Sequence, residues 1–225
     1  MKIAIITDSY GGPRSHNGVC DLSLEETYPE LIKKEVSKQN HEVMISYAGF
    51  RRLVELPEII KEFQTADIFV LQTGIVDLFP RPLSYEHTIS QAFIWKALRR
   101  IIRLNRRAFI KYINHKPWST EEHIISSITN ICSNTTKKII WVNVAIVNKY
   151  QDHQTPGAND AIRRINILIK EIIKKYPYCI ELDICNILSS LPDYEDYMHG
   201  EDSHLNAKGN KLYAEEILKM IKKLV

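Results

Sequence analysis

No apolar stretch of this 225-residue sequence approaches the roughly 18 to 20 residues that a membrane-spanning helix needs, so a bundle of such helices is excluded. The opening MKIAIITDSY is apolar only as far as Asp8, too short for a secretory leader, and no small-residue cleavage site follows. It reads as a first strand, and the protein as a cytoplasmic one. Cys20, Cys132, Cys179 and Cys185 show no C-x-x-C spacing and no histidine at zinc-finger distance, which points to free buried thiols and to no metal site. The sequence has no GxGxxG or P-loop pattern, no internal repeat and no low-complexity linker. Nor is there an excess of one charge: the formal net charge is +3, too small a bias to make nucleic acid the main partner.

What is present is an ordinary globular composition, 44% hydrophobic and 25% charged, with enough chain for one sizeable core. The expectation is a single domain over 1–225. Short runs rich in Ile and Val, KIAIIT (2–7), HEVMISY (41–47), ADIFVLQT (66–73), KKIIWVNV (137–144) and YCIELDI (178–184), lack clean alternation and suit strands buried on both faces. Segments with helical spacing lie between them. Strand and helix alternating in this way predict an α/β fold, a three-layer α/β/α sandwich whose mostly parallel sheet has about five strands. Ser23 with Glu26 and Ser119 with Glu122 have capping-box spacing, and Asn206 is placed to cap the last helix.

The segment from about 85 to 136 is longer than a crossover requires and reads as a helical insertion of two or three helices. Within it, KALRRIIRLNRRAFIK carries Lys96, Arg99, Arg100, Arg103, Arg106, Arg107 and Lys111. This is either a basic helix for an anionic glycan, a phosphorylated carrier or a membrane surface, or a solvated face answered by acidic residues elsewhere.

Ligands of open parallel sheets bind beyond the carboxyl ends of the strands. Asp8 and Ser9 follow the first run, Ala48 and Gly49 the second, Gly74 and Asp77 the third, and the last leads to HGEDSHLNAKG. A serine hydroxyl needs an adjacent base, usually His, which in turn needs an acid. His204, in a loop before a helix, is the best base in the chain. Glu201 stands three residues upstream, a step that brings two side chains of a helical turn onto one face, whereas Asp202 at two residues points elsewhere.

In order and spacing, TDSYGGPR, the glycine after the second strand, QTGIVDLFPRP and GEDSHLNAKG resemble the four blocks of the SGNH, or GDSL-type, hydrolases over nearly the whole chain. DSYGGPR…ETYPELI and GIVDLFPRP further resemble a subset associated with bacterial capsule and O-antigen polysaccharide gene clusters. The resemblance implies a flavodoxin-like SGNH fold without metal or organic cofactor. It also implies Ser9 as nucleophile and oxyanion donor, Gly49 as second donor, His204 as base and Glu201 as acid. The implied substrate is a small-molecule or oligosaccharide ester, commonly an O-acetylated carbohydrate, and the acyl group is hydrolysed or transferred.

Three positions depart from the pattern. Thr7 replaces a block I glycine, Glu201 the usual Asp, and Val76 the block III asparagine whose amide faces the oxyanion. Loss of one such donor costs about 2.7 to 4 kcal/mol. Arg14, Arg81 or a backbone N–H near Gly74 are the candidates to replace it. Each Arg follows a proline in a loop at the sheet edge, where it would bind an anionic part of the substrate such as an acidic sugar, complete the oxyanion site, or pair with Asp8 or Asp77 to order the loops. Two other readings compete with an esterase. One is a glycan-binding or assembly module with impaired catalysis, and the other is a nucleotide binder cradling phosphate in TDSYGG, which leaves His204 unexplained.

Overall fold

The computed structural model of the chain describes residues 1–16, 19–112, 116–200 and 204–224. Five strands form one all-parallel sheet: β1 (Lys2–Thr7), β4 (Glu42–Tyr47), β5 (Ile68–Gln72), β6 (Lys138–Val142) and β7 (Cys179–Leu182), in the order β4-β1-β5-β6-β7. The three inner strands are the Ile- and Val-rich runs, sealed on both faces from Ile3 to Thr7, Ile68 to Gln72 and Ile139 to Val142. The edge strands β4 and β7 are only half-buried, because each has a neighbour on one side alone.

Two further strands, β2 (Arg14–His16) and β3 (Val19–Leu22), pair antiparallel as a small separate hairpin where the sequence suggested only a loop.

Helices cover the main sheet on both faces. On one, α1 (Tyr28–Ser37) packs beside α10 (Ala207–Leu224); on the other, α6 (Glu121–Ser133) lies between α2 (Leu56–Glu62) and α8 (Ala158–Ile173). Short helices α7 (Lys149–Gln154) and α9 (Ile184–Ser189) follow β6 and β7. No described helix is long and apolar enough to cross a membrane. Cys132, Cys179 and Cys185 are free thiols, with the Cys179 Sγ 3.5 Å from the Cys132 Sγ.

Four helices fill the segment between β5 and β6: α3 (Tyr85–Ile89), α4 (Phe93–Leu104), α5 (Arg106–Tyr112) and α6. The first three lie outside the sandwich layers, whereas α6 is a layer helix whose Ile124 and Ile128 are fully buried in the core. Thr120, not Ser119, caps α6, accepting from the His123 N–H. The Ser119 hydroxyl is drawn to Asp77 instead, donating to its carboxylate at 2.6 Å. The other Asp77 oxygen accepts the Leu53 N–H at 2.8 Å, so one buried carboxylate ties the loop after β5 to the segment after β4 and to the start of α6. The Ser23–Glu26 pair forms its box on a 3-10 turn, and α1 begins only at Tyr28.

From β1, next to the edge of the sheet, the chain goes outward to β4 and returns across β1 to β5. Where strand order reverses in this way the loops diverge and leave a crevice at the carboxyl edge. The ends of β1 and β5, and so Ser9 and the stretch Gly74 to Arg81, border that crevice.

Candidate active site

Local hydrogen bonds set the turn that carries Ser9. The Asp8 N–H continues the ladder to the Gln72 carbonyl at 3.1 Å, while the Asp8 carboxylate accepts the Tyr10 N–H at 3.0 Å and opens a 3-10 turn over Ser9–Gly11. Gly11 is required there, since a Cβ would lie 2.2 Å from the Thr7 Cγ2. Thr7 itself is accommodated by donating its hydroxyl to the Gln72 side-chain oxygen at 2.7 Å.

Ser9 Oγ lies 2.8 Å from His204 Nε2. The imidazole also packs beside the Tyr10 ring, with centroids 5.4 Å apart. The flanks of the histidine loop are held by the backbone: Met198 bridges Leu205, the His199 N–H donates to the His204 carbonyl at 2.8 Å, and the Asn148 amide donates to the His199 carbonyl at 2.8 Å. Asn206 then caps α10, accepting the Gly209 N–H at 3.0 Å while its amide donates to the Asp196 and Met198 carbonyls. For Nε2 to accept from Ser9 the ring proton must sit on Nδ1, the side an acid would face. Glu201, expected in that role, and Asp202 lie outside the described residues.

Gly49 follows β4 in an exposed position, and nothing lies within 4 Å of where its Cβ would be. Among the described residues neither the Ser9 nor the Gly49 N–H donates a hydrogen bond. Arg51, which sequence reasoning missed, fixes this loop by donating to the Thr7 and Ser46 carbonyls at 2.8 and 2.7 Å. Phe50 between them has φ +61°, a left-handed conformation that is uncommon for a bulky side chain, and it lines the site cavity.

That cavity, about 130 Å³, brings Ser9 and His204 together with Ile75, Val76 and Phe79 from the loop after β5. Val76 is an apolar wall where an amide was expected. Gln151 and two cations also line it. The Arg81 guanidinium lies 4.6 Å from the Trp118 ring and 5.0 Å from the Phe79 ring, and burial, followed by the neighbouring Arg106, draws its pKa down to about 9. Arg106, at the start of α5, donates its Nε to the Thr155 hydroxyl at 2.7 Å, and burial lowers its pKa to about 10.

Arg81 was a candidate from sequence and does reach the cavity, whereas Arg14 stands in the β2–β3 hairpin and is not among the lining residues. Arg106 was read only as one member of a basic run. Its neighbours have other tasks: Arg99 donates to the His87, Thr88 and Ser90 carbonyls at the end of α3, and Arg107 to the His153 carbonyl. Nothing in one-dimensional spacing separates Arg106 from them. A larger hollow of about 670 Å³, lined by Pro57, Asn130 and Lys137 among others, opens at the opposite edge of the sheet, and no serine, cysteine, histidine or carboxylate is among its lining residues.

Two buried acids border the crevice. Burial raises the Asp8 pKa to about 7 against the lowering effect of the Tyr10 N–H, and burial raises Asp77 to about 6 despite its bonds to Ser119 and Leu53. Asp77 spends its oxygens on those partners and forms no ion pair with Arg81.

No family model matches the chain, and no curated protein matches it in sequence. Solved structures do match in fold. A lipase/acylhydrolase from Enterococcus faecalis aligns with a TM-score of 0.66 at 13% identity, over 99% of this chain and 95% of that one. A catalytic mutant of an acetylxylan esterase from Geobacillus stearothermophilus aligns with a TM-score of 0.61 at 14% identity, over 97% and 92%. A carbohydrate acetylesterase family member from Sinorhizobium meliloti gives 0.58 at 15%, over 99% and 98%. These likenesses span whole chains, and the five-stranded parallel sheet with helices on both faces is the SGNH-hydrolase fold.

Proposed function

We propose that the chain is a serine esterase of the SGNH type, acting through an acyl-enzyme on Ser9. The observation that carries this reading is the 2.8 Å contact between Ser9 Oγ and His204 Nε2 at the carboxyl edge of the sheet. In the proposed reaction, Ser9 Oγ attacks the ester carbonyl carbon as its proton passes to His204 Nε2. The Ser9 and Gly49 N–H groups receive the oxyanion. Collapse of the tetrahedral intermediate breaks the C–O bond, and His204 returns the proton to the departing alcohol. A water activated by His204 then releases the acid and restores Ser9. Glu201 is assigned the role of orienting the imidazole from Nδ1.

The cavity favours a short acyl group, because it is only about 130 Å³ and Ile75 and Val76 are among its apolar lining residues. An O-acetyl group on a carbohydrate fits this size, and two of the proteins with a similar fold are named as acetylxylan and carbohydrate esterases. If a sugar hydroxyl replaces water at the acyl-enzyme, the same groups catalyse transfer. The finer reading, work in polysaccharide biosynthesis, rests on the sequence resemblance. Val76, an apolar side chain where a donor was expected, is what favours the alternative of a glycan-binding module with impaired catalysis.

A fluorophosphonate probe together with p-nitrophenyl acetate tests the esterase reading. Labelling and acetate release that disappear in Ser9→Ala and His204→Ala support it, whereas their absence from the unaltered protein selects the binding module.

A further inference from the structure

Arg81 and Arg106 both line the cavity that holds Ser9, a feature that hydrolysis of a neutral ester does not require. Both lie over the Phe79 ring, at 5.0 and 5.9 Å, so two like charges share one aromatic neighbour. Neither forms an ion pair with a described carboxylate. Asp77, the acid whose charge Arg81 does feel, has both oxygens committed to Leu53 and Ser119. Arg81 Nε and Arg106 Nη2 are buried without a hydrogen-bond partner.

Unsatisfied buried donors on charged groups are costly, and mutual repulsion adds to the cost. A purely structural stack of the insertion against the loop after β5 would avoid both by using neutral side chains. The arrangement is nevertheless held in place, by Trp118 under Arg81 and by Thr155 on Arg106 Nε. Fixed, unpaired guanidinium groups are what bidentate recognition of a carboxylate needs.

We propose that Arg81 and Arg106 form a carboxylate-binding subsite beside Ser9, so that the substrate is an ester carried by an acidic compound, an O-acylated uronic acid being the simplest sugar of that class. The inference rests on the esterase reading for the chemistry, but the subsite makes a binding prediction of its own. With the ester carbonyl at Ser9, the acyl methyl lies toward Ile75 and Val76, and the carboxylate of the alcohol part reaches the two guanidinium groups. The insertion thus contributes a specificity residue, Arg106, and the support for another through Trp118.

The test compares mono-O-acetylglucuronic acid with its methyl ester, which has nearly the same size and no charge. The unaltered protein is expected to favour the free acid in kcat/KM by about ten- to a hundredfold, the span of one charge-assisted hydrogen bond. Arg81→Gln and Arg106→Gln should each bring that ratio toward one, and Arg81→Lys should retain part of it. A ratio near one in the unaltered protein, or a ratio unmoved in both Gln variants that melt normally, overturns the proposal.

Calorimetric titration of Ser9→Ala with glucuronate, glucose and inorganic phosphate provides a readout without turnover. Saturable binding of glucuronate that is lost on adding Arg106→Gln is expected. Equal binding of glucose, binding of phosphate alone, or no binding of glucuronate overturns the carboxylate assignment. If the fluorophosphonate leaves Ser9 unlabelled while glucuronate binds through the arginines, the esterase reading falls and the subsite stands.

Discussion

Ser9 Oγ and His204 Nε2 meet at 2.8 Å although 195 positions separate them in the chain. Neither residue is placed by its own loop alone. The first is fixed by the Asp8 cap and the close packing at Gly11, the second by the backbone pairing of Met198 to Leu205 and the Asn206 cap of α10. Nucleophile and base that act as a unit fail together, and kcat on p-nitrophenyl acetate is expected to fall by about 10⁴-fold or more in Ser9→Ala and in His204→Ala. The double variant should be no worse than the single ones, as steady-state kinetics will show.

Stability should decline with rising pH through an unusual window. The Asp8 carboxyl has a pKa of about 7 in the folded chain against an ordinary value of 3.8, so between these values the native state holds the proton more firmly than the unfolded state does. Its contribution is fully present below about pH 4 and lost as pH rises to about 7. Asp77, raised to about 6, adds to the same trend. Asp8→Asn keeps an oxygen for the Tyr10 N–H and should flatten the fall in Tm between pH 4 and 7 without abolishing it.

Two glycines beside the site should respond oppositely to alanine. A Cβ at Gly209 would sit 2.1 Å from the Tyr197 carbonyl oxygen, which forces the backbone under the histidine loop to move. Gly209→Ala is expected to lose about 1 to 3 kcal/mol of stability, the ordinary range for overpacking. At Gly49 nothing lies within 4 Å, so Gly49→Ala should melt like the parent. Thermal denaturation of the pair checks both, and a lower kcat in Gly49→Ala would then report on the approach of substrate to that loop.

Val76→Asn restores an amide where the cavity now has an apolar wall. A single oxyanion donor is worth about 10²- to 10³-fold in kcat, and even partial alignment should raise kcat on p-nitrophenyl acetate severalfold. Val76 is 3% exposed, so the same substitution should lower Tm. A rate unchanged or reduced in a folded variant would mean that the oxyanion is already served by other donors.

The strands were legible because β1, β5 and β6 are buried on both faces and therefore read as unbroken Ile and Val runs. Ser9, His204 and the Asn206 cap were legible because local chemistry announces them: a hydroxyl at a strand end, an imidazole before a helix, an amide three residues before Gly209. Ser119 and Thr120 show where that logic fails. Adjacent hydroxyls offered two possible caps, and a carboxylate 42 positions away took the first of them. Arg106 was hidden for the same reason. Its role depends on Phe79 and Arg81 in the loop after β5 and on Thr155 after α7, two other parts of the chain.

The chain order of the site has a consequence for synthesis. A ribosome releases β1 and its serine well before α10, which holds the histidine loop from its other end. Until α10 docks against α1, a nascent chain carries a hydroxyl without its imidazole. Termination before α10 should therefore leave a chain in which Ser9 lacks the contact to His204.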